Sequence, residues 1–175
     1  SLAEINVDGA NPDYESDING VLFTEGKTEL IQYPANSAAT AYSVPDSVKV
    51  ICDDAFRHSE NLAEISLPEG LEEIGDEAFY ASGIKTVTVP SSVSSIGTDA
   101  FGWCFSLESI FVDEGNSSYS SDENGVLFTK DKTELIYYPR SKENSEYVAI
   151  EGLKTIKAGA FGGSKNLTSL VLYND

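Results

Sequence analysis

Few residues in this chain are of types that could do chemistry. The adjacent carboxylates Asp53-Asp54 and Asp76-Glu77 are of the kind that supplies the acid and base of a glycosidase. Both pairs stand three and two residues ahead of a Phe, and the same register holds Thr98/Asp99 ahead of Phe101 and Ala158/Gly159 ahead of Phe161. A position that recurs with and without a carboxylate serves local geometry, so the pairs read as caps and dipole partners of a short turn. His58 is the only histidine, which excludes a His-based metal cage. A Cys–His nucleophile pair would have to use Cys52 or Cys104, with no oxyanion motif in view. Neither G-x-S-x-G nor a G-x-x-x-x-G-K-S/T phosphate loop occurs. Glu15-x-Asp17-x-Asn19-Gly20 has the opening of a Ca²⁺ loop, but the bidentate Glu due at loop position twelve is Gly26. Asn19-Gly20 and Asn124-Gly125 read instead as tight turns. The expectation is a non-enzyme with no catalytic residue, no metal and no cofactor.

The charge balance narrows the partners. Asp and Glu number 29 against 11 Lys and Arg, a net charge of −18, which repels a phosphate backbone and an anionic bilayer alike. Nucleic acid is therefore not an expected partner. No apolar run approaches the roughly 20 residues of a membrane span, so no direct membrane insertion is expected, and no basic-then-apolar leader opens the segment. The chain holds no Met, so residue 1 is not a translation start and an export signal would lie upstream.

The elements that must position these residues are set by an internal repeat. The pattern L-x-x-I-x-V occurs as strand motifs at 2–7, 62–67, 84–89, 107–112 and 167–172. Ile65, Val87 and Ile110 are spaced by 22 and 23 residues, inside the leucine-rich-repeat range. A second block follows each strand, as in Pro68-x-x-Leu71-x-x-Ile74, and an Ala-Phe pair closes it: Ala55-Phe56, Ala78-Phe79, Ala100-Phe101 and Ala160-Phe161. Each coil thus predicts a strand, a turn, a short extended segment and a helical or 3₁₀ turn carrying Phe inward. One coil cannot bury its apolar side, but stacked coils make continuous Leu, Ile and Phe ladders. Asn11 to Pro34 returns 105 residues later as Asn116 to Pro139, and each copy predicts an inserted β-hairpin, about 11–34 and 116–139. Each insert lengthens one repeat to 60 residues, from Ile5 to Ile65 and from Ile110 to Leu170. The fold expected is a single leucine-rich-repeat solenoid over 1–175, a curved right-handed superhelix that is mostly β with short helical turns.

The repeat places the cysteines. Cys104 follows Phe101 by three, where Ser59, Ser82 and Ser164 stand in other coils, so a small buried thiol is expected. Cys52 stands where Gly75 and Gly97 do, two coils from Cys104 and about 10 Å away at the strand spacing, too far for a disulfide. The sequons Asn116-Ser-Ser118 and Asn166-Leu-Thr168 read as incidental.

The string Leu62-x-x-Ile65-x-Leu67-Pro68-x-x-Leu71-x-x-Ile74-Gly75-x-x-Ala78-Phe79 resembles the BspA-like, or Treponema-type, leucine-rich repeat of bacterial surface proteins, and the Gly-Val-Leu-Phe…Tyr-Pro hairpins resemble its long variants. The resemblance covers essentially the whole chain. It implies a secreted or cell-surface bacterial protein acting in adhesion or host-protein binding, with an extracellular protein or glycan as partner. The array begins and ends on a strand motif with no polar capping repeat, and so reads as part of a longer chain.

Strand alternation then picks the candidate contact surface. Residues flanking the central Ile point away from the core, giving Glu4/Asn6, Glu64/Ser66, Thr86/Thr88, Ser109/Phe111 and Ser169/Val171. Of these, Glu64, Ser66, Thr86, Thr88, Ser109, Phe111, Ser169 and Val171 form the expected binding strip on the concave side. The hairpin tyrosines Tyr14, Tyr33, Tyr119, Tyr137 and Tyr138 are a second candidate surface. A structural spacer within a larger surface protein is the rival reading, discriminated by further repeats and an anchor in the full gene.

Overall fold

The computed structural model describes residues 2–173 and shows a β-solenoid of about six turns. An antiparallel meander opens it: β1 (Tyr14–Ser16), β2 (Leu22–Thr24) and β3 (Glu29–Gln32). Strands of the two solenoid faces then alternate. One face carries β4 (Ala41–Ser43), β6 (Glu64–Ser66), β8 (Thr86–Val89) and β10 (Ser109–Val112) as a parallel ladder. The other carries β3, β5 (Val50–Ile51), β7 (Glu73–Ile74) and β9 (Ser95–Ile96), also parallel. A second meander follows as β11 (Tyr119–Ser121), β12 (Leu127–Thr129) and β13 (Glu134–Tyr137). The remaining strands are β14 (Glu146–Val148), β15 (Thr155–Ile156) and β16 (Ser169–Val171), with β13 paired to β15 and β14 to β16.

Periodic Ile, Leu and Val positions bury between the faces, and the Phe turns close the coil. Tyr33, Phe56, Phe79 and Phe101 stack at centroid distances of 5.1, 4.9 and 5.5 Å. The step to Tyr137 widens to 6.4 Å, and a second core begins around Phe128, Leu135, Tyr138 and Ala160.

The Phe turns are not helical. Asp54 N, Phe56 N and His58 N donate to Asp76 O, Ala78 O and Tyr80 O of the next coil, while Ala55 N, Arg57 N and Ser59 N donate back three residues. Alternate amides are thus committed between coils, whereas a helix would keep them all within itself. The alternation runs through the Phe56 and Phe79 turns with two left-handed residues in each, Asp54/His58 and Glu77/Ala81, and the same pair of left-handed positions recurs as Asp99/Trp103 and Gly159/Gly163.

The inserts differ from the expected hairpins in two respects. Each has a third strand, β1 or β11, and each returning strand joins the parallel face ladder, β3 to β5 and β13 to β15. Tyr33 and Tyr138 then occupy the Phe position, their N–H groups donating to Ala55 O and Ala160 O. The 60-residue step therefore contains an additional coil whose face strand, β4 or β14, the L-x-x-I-x-V pattern did not contain. Tyr42 and Tyr147 stand there in place of Ile, opposite Ile65 and Leu170. The segment 2–7 is not a strand: Ile5 N donates to Gly20 O, as Ile110 N does to Gly125 O, but only 109–112 has a parallel partner, β8.

Candidate functional site

Parallel pairing puts Ala41, Glu64, Thr86 and Ser109 in one outward row and Ser43, Ser66 in a second, with Thr88 opposite Phe111. The predicted strip is thus assembled for its first six residues, extended by the unforeseen Ala41 and Ser43. Ser169 and Val171 lie on a separate sheet, opposite Glu146 and Val148. The two are separated because the Asp122–Gly125 turn lies along β10, where a Cβ on Gly125 would come within 2.5 Å of Ser109 Cβ and the left-handed φ of +70° also favours glycine. Glu4 and Asn6 lie off the ladder, Asn6 Nδ2 donating to Glu4 Oε1 at 3.1 Å. β6 and β8 pair only at Glu64 opposite Thr86. Beyond that point a hollow of about 300 Å³ opens, lined by Ile65, Ser66, Leu67, Glu69, Thr86, Thr88 and Pro90. Phe111, 43% exposed, stands beside it across from Thr88.

Most of the hairpin tyrosines do not form a surface. Tyr33, Tyr137 and Tyr138 are buried, Tyr119 is half-buried with its hydroxyl accepting Ile96 N at 2.9 Å, and Tyr14 alone is exposed. Burial pushes the Tyr137 hydroxyl well above its usual range. Asp17 and Asp122 close the neighbouring turns: Oδ1 of each accepts two backbone amides at 2.9 Å, and Oδ2 accepts Tyr42 or Tyr147 Oη at 2.8 Å. Glu15 in turn accepts Gly26 N and pairs with Lys27 at 3.4 Å. The carboxylates of the Ca²⁺-like string are therefore occupied by protein donors.

The paired carboxylates act between coils and cap no helix. Asp53 Oδ1 accepts Asp76 N at 2.8 Å and Asp76 Oδ1 accepts Thr98 N at 2.6 Å, while the second member of each pair takes the left-handed φ. Cys52 and Cys104 are free thiols. Cys104 is fully buried against Phe79 O at 2.9 Å and Ser82 Oγ at 3.4 Å, and burial raises its pKa above the usual thiol value. Asn116 is likewise fully buried, so its sequon is closed to modification in the folded chain. Among the described residues no group of three His, Cys, Asp or Glu could hold a metal ion.

Sequence reasoning missed a surface on the turn rim. His58, Tyr80, Trp103 and Phe105 form a chain of ring contacts at 6.2, 6.3 and 5.7 Å, with Trp103 50% and Phe105 46% exposed. A hollow of about 540 Å³ lies on the Tyr80 side of Trp103, and one of about 290 Å³ on the Arg140 side. Arg57 covers Tyr80 at 4.4 Å and pairs with Asp54 and Glu77. Arg140 covers Trp103 at 5.1 Å and Phe105 at 5.8 Å, is only 6% exposed, and has no carboxylate within salt-bridge distance among the described residues. Cation–π contacts contribute about 0.5–2 kcal/mol, less than the roughly 3–5 kcal/mol that an uncompensated buried charge costs. The sequence signal was available in the non-repeating positions just after each Phe, where the coils differ most.

The comparisons agree with this architecture. The BspA type Leucine rich repeat region matches in 6 copies over residues 34–139, more than half of the chain. The chain is similar to the pneumococcal vaccine antigen PcpA at 34% identity and a TM-score of 0.74, over 79% of this chain and 35% of that one. A leucine-rich repeat protein from Eubacterium ventriosum is 29% identical with a TM-score of 0.63, over 75% of this chain and 41% of that one. A leucine rich cell surface protein from Faecalibacterium prausnitzii shares the fold at 24% identity and a TM-score of 0.65, again over 75% and 41%. The chain thus spans well under half the length of these structures. No curated protein sequence matches it. Six family repeats and a solenoid shared with bacterial leucine-rich-repeat structures lead to one conclusion: the chain belongs to the BspA-type leucine-rich-repeat family.

Proposed function

We propose that this chain is a non-catalytic binding module of a bacterial cell-surface or secreted protein, and that it meets an extracellular protein or glycan through the β4–β6–β8–β10 face. The observation that carries the reading is the hollow where β6 and β8 part, with Ser66, Thr86 and Thr88 presenting hydroxyls beside an exposed Phe111. Hydroxyls lining a polar hollow with one aromatic at the edge can fix a ligand by hydrogen bonds and ring contact, without chemistry. The extracellular setting is supported by the cell-surface neighbour with the same fold. Glu64 and Ser109 extend the surface on either side of this centre, whereas Ser169 and Val171, on the separate β14–β16 sheet, take no part in it.

The test is a binding screen of the 175-residue chain against extracellular-matrix proteins and a glycan array, repeated with Phe111→Ala and at raised salt. Saturable binding weakened about tenfold or more by Phe111→Ala is the expected result, as for an aromatic anchor. Binding that is lost with salt and indifferent to Phe111→Ala would move function to the acidic surface. An empty panel would favour the spacer reading.

A further inference from the structure

Arg140 is the only charged side chain among the buried described residues. Its Nε donates to Tyr137 Oη at 3.3 Å, and Nη1 and Nη2 have no hydrogen-bond acceptor among the described residues. The guanidinium borders the 290 Å³ hollow, whose walls are the Trp103 and Phe105 rings, set at 87° to each other, and the glycine backbone of the facing turns. Room for the guanidinium depends on one residue: a Cβ on Gly163 would overlap Arg140 Nη1, and the equivalent left-handed position in other coils holds His58, Ala81 or Trp103.

We propose that this hollow binds the carboxylate of an acidic saccharide, a uronic- or sialic-type sugar. A free guanidinium fork matches a carboxylate in two parallel hydrogen bonds, which a buried, unpaired Arg otherwise forgoes. The two ring faces at a corner suit the C–H face of a pyranose, and the volume lies at the small-ligand end of pocket sizes. Two of the wall's amides, Gly102 N and Gly162 N, are already bonded to Asp99 O and Gly159 O, which leaves fewer donors for a peptide backbone. Asp99, exposed at the edge of the hollow, opposes an anion and sets the affinity low. The site lies on the turn rim and stands apart from the strand-face reading.

Trp103 is the only tryptophan, so intrinsic fluorescence reports on this ring; both hollows share it, and the Arg140→Lys variant assigns a response to the Arg140 side. The chain is titrated with digalacturonate, N-acetylneuraminate, galactose, acetate and a Glu-Glu dipeptide. The expected result is a saturable change with at least one acidic sugar, at least tenfold weaker for galactose, acetate and dipeptide. Arg140→Lys, which keeps the charge and loses the fork, should weaken it at least tenfold with circular dichroism unchanged. Asp99→Asn should tighten it two- to threefold. The proposal is overturned by no saturable response to either acidic sugar, by equal binding of galactose, or by acetate or the dipeptide binding as well as the sugars. Should Arg140→Lys fail to fold, Asp99→Asn decides, and an unchanged affinity there overturns it.

Discussion

Asn116 lies buried, its Nδ2 donating to Pro90 O and Val93 O at 2.8 Å while Oδ1 accepts Ser118 N and Tyr119 N at 2.8 Å. Asn11 makes the matching turn bonds, to Asp13 N and Tyr14 N at 3.0 Å, but is exposed. Removing a partner from buried groups costs their full desolvation, whereas water replaces a lost bond at the surface. Asn116→Ala should therefore lower unfolding free energy by about 2–4 kcal/mol and Asn11→Ala by under about 1 kcal/mol. Urea denaturation of both variants checks this, and equal effects would refute it. The sequence shows two identical turn asparagines. What makes them unequal is the neighbouring coil 23–26 residues away, which no local spacing reveals.

At the scale of elements, a tyrosine hydroxyl joins each meander to the first strand of the coil that follows it, Tyr42 of β4 to Asp17 and Tyr147 of β14 to Asp122, beside the strand pairing that β3 and β13 already make. Burial first, then the hydrogen bond to the carboxylate and its charge, hold both tyrosine pKa values above their ordinary range. Their unfolded pKa is about 10, so both states are protonated below that pH and the ties are fully formed. Above about pH 10 the unfolded chain loses these protons first, and stability falls by roughly 1.4 kcal/mol per pH unit per tyrosine. Denaturation midpoints followed from pH 8 to 11 should be flat and then fall. Tyr42→Phe with Tyr147→Phe should lessen the fall by two such slopes, and an unchanged slope would count against the ties. The same substitution of Tyr for Ile hid β4 and β14 from pattern reading, because the position serves a hydroxyl as well as a core. The Phe turns were legible as elements but not as non-helical ones, since the alternate amides find their acceptors in the next coil.

Over the whole molecule, the aromatic stack is close from Tyr33 to Phe101 and loosens at Tyr137, where the second core begins. The first core lies between a four-stranded and a six-stranded sheet, whereas β14 and β16 form a two-stranded sheet with Val148, Leu170 and Val171 partly exposed. Opening free energy follows burial and local packing. Amides of β16 should therefore exchange at least tenfold faster than those of β8, followed residue by residue in deuterated buffer. Equal protection across the two would show a single cooperative unit and remove the distinction between the cores.

Period and hydrophobic alternation are properties of the chain read in order, and they determined the solenoid, the positions of β6, β8, β10 and β16, the buried Cys104 and the outward strip from Glu64 to Phe111. They carry this information because each coil buries the same positions against its neighbour, so the core is repeated in sequence as it is in space. Only the tertiary structure decided which coils make one continuous face. The Asp122–Gly125 turn separates Ser169 and Val171 from the rest because it occupies the edge of β10, a contact set by Gly125. The Trp103–Arg140 hollow was likewise assembled only by the fold: its parts come from three coils at positions whose side chain the repeat does not fix, and they meet only because the coils stack.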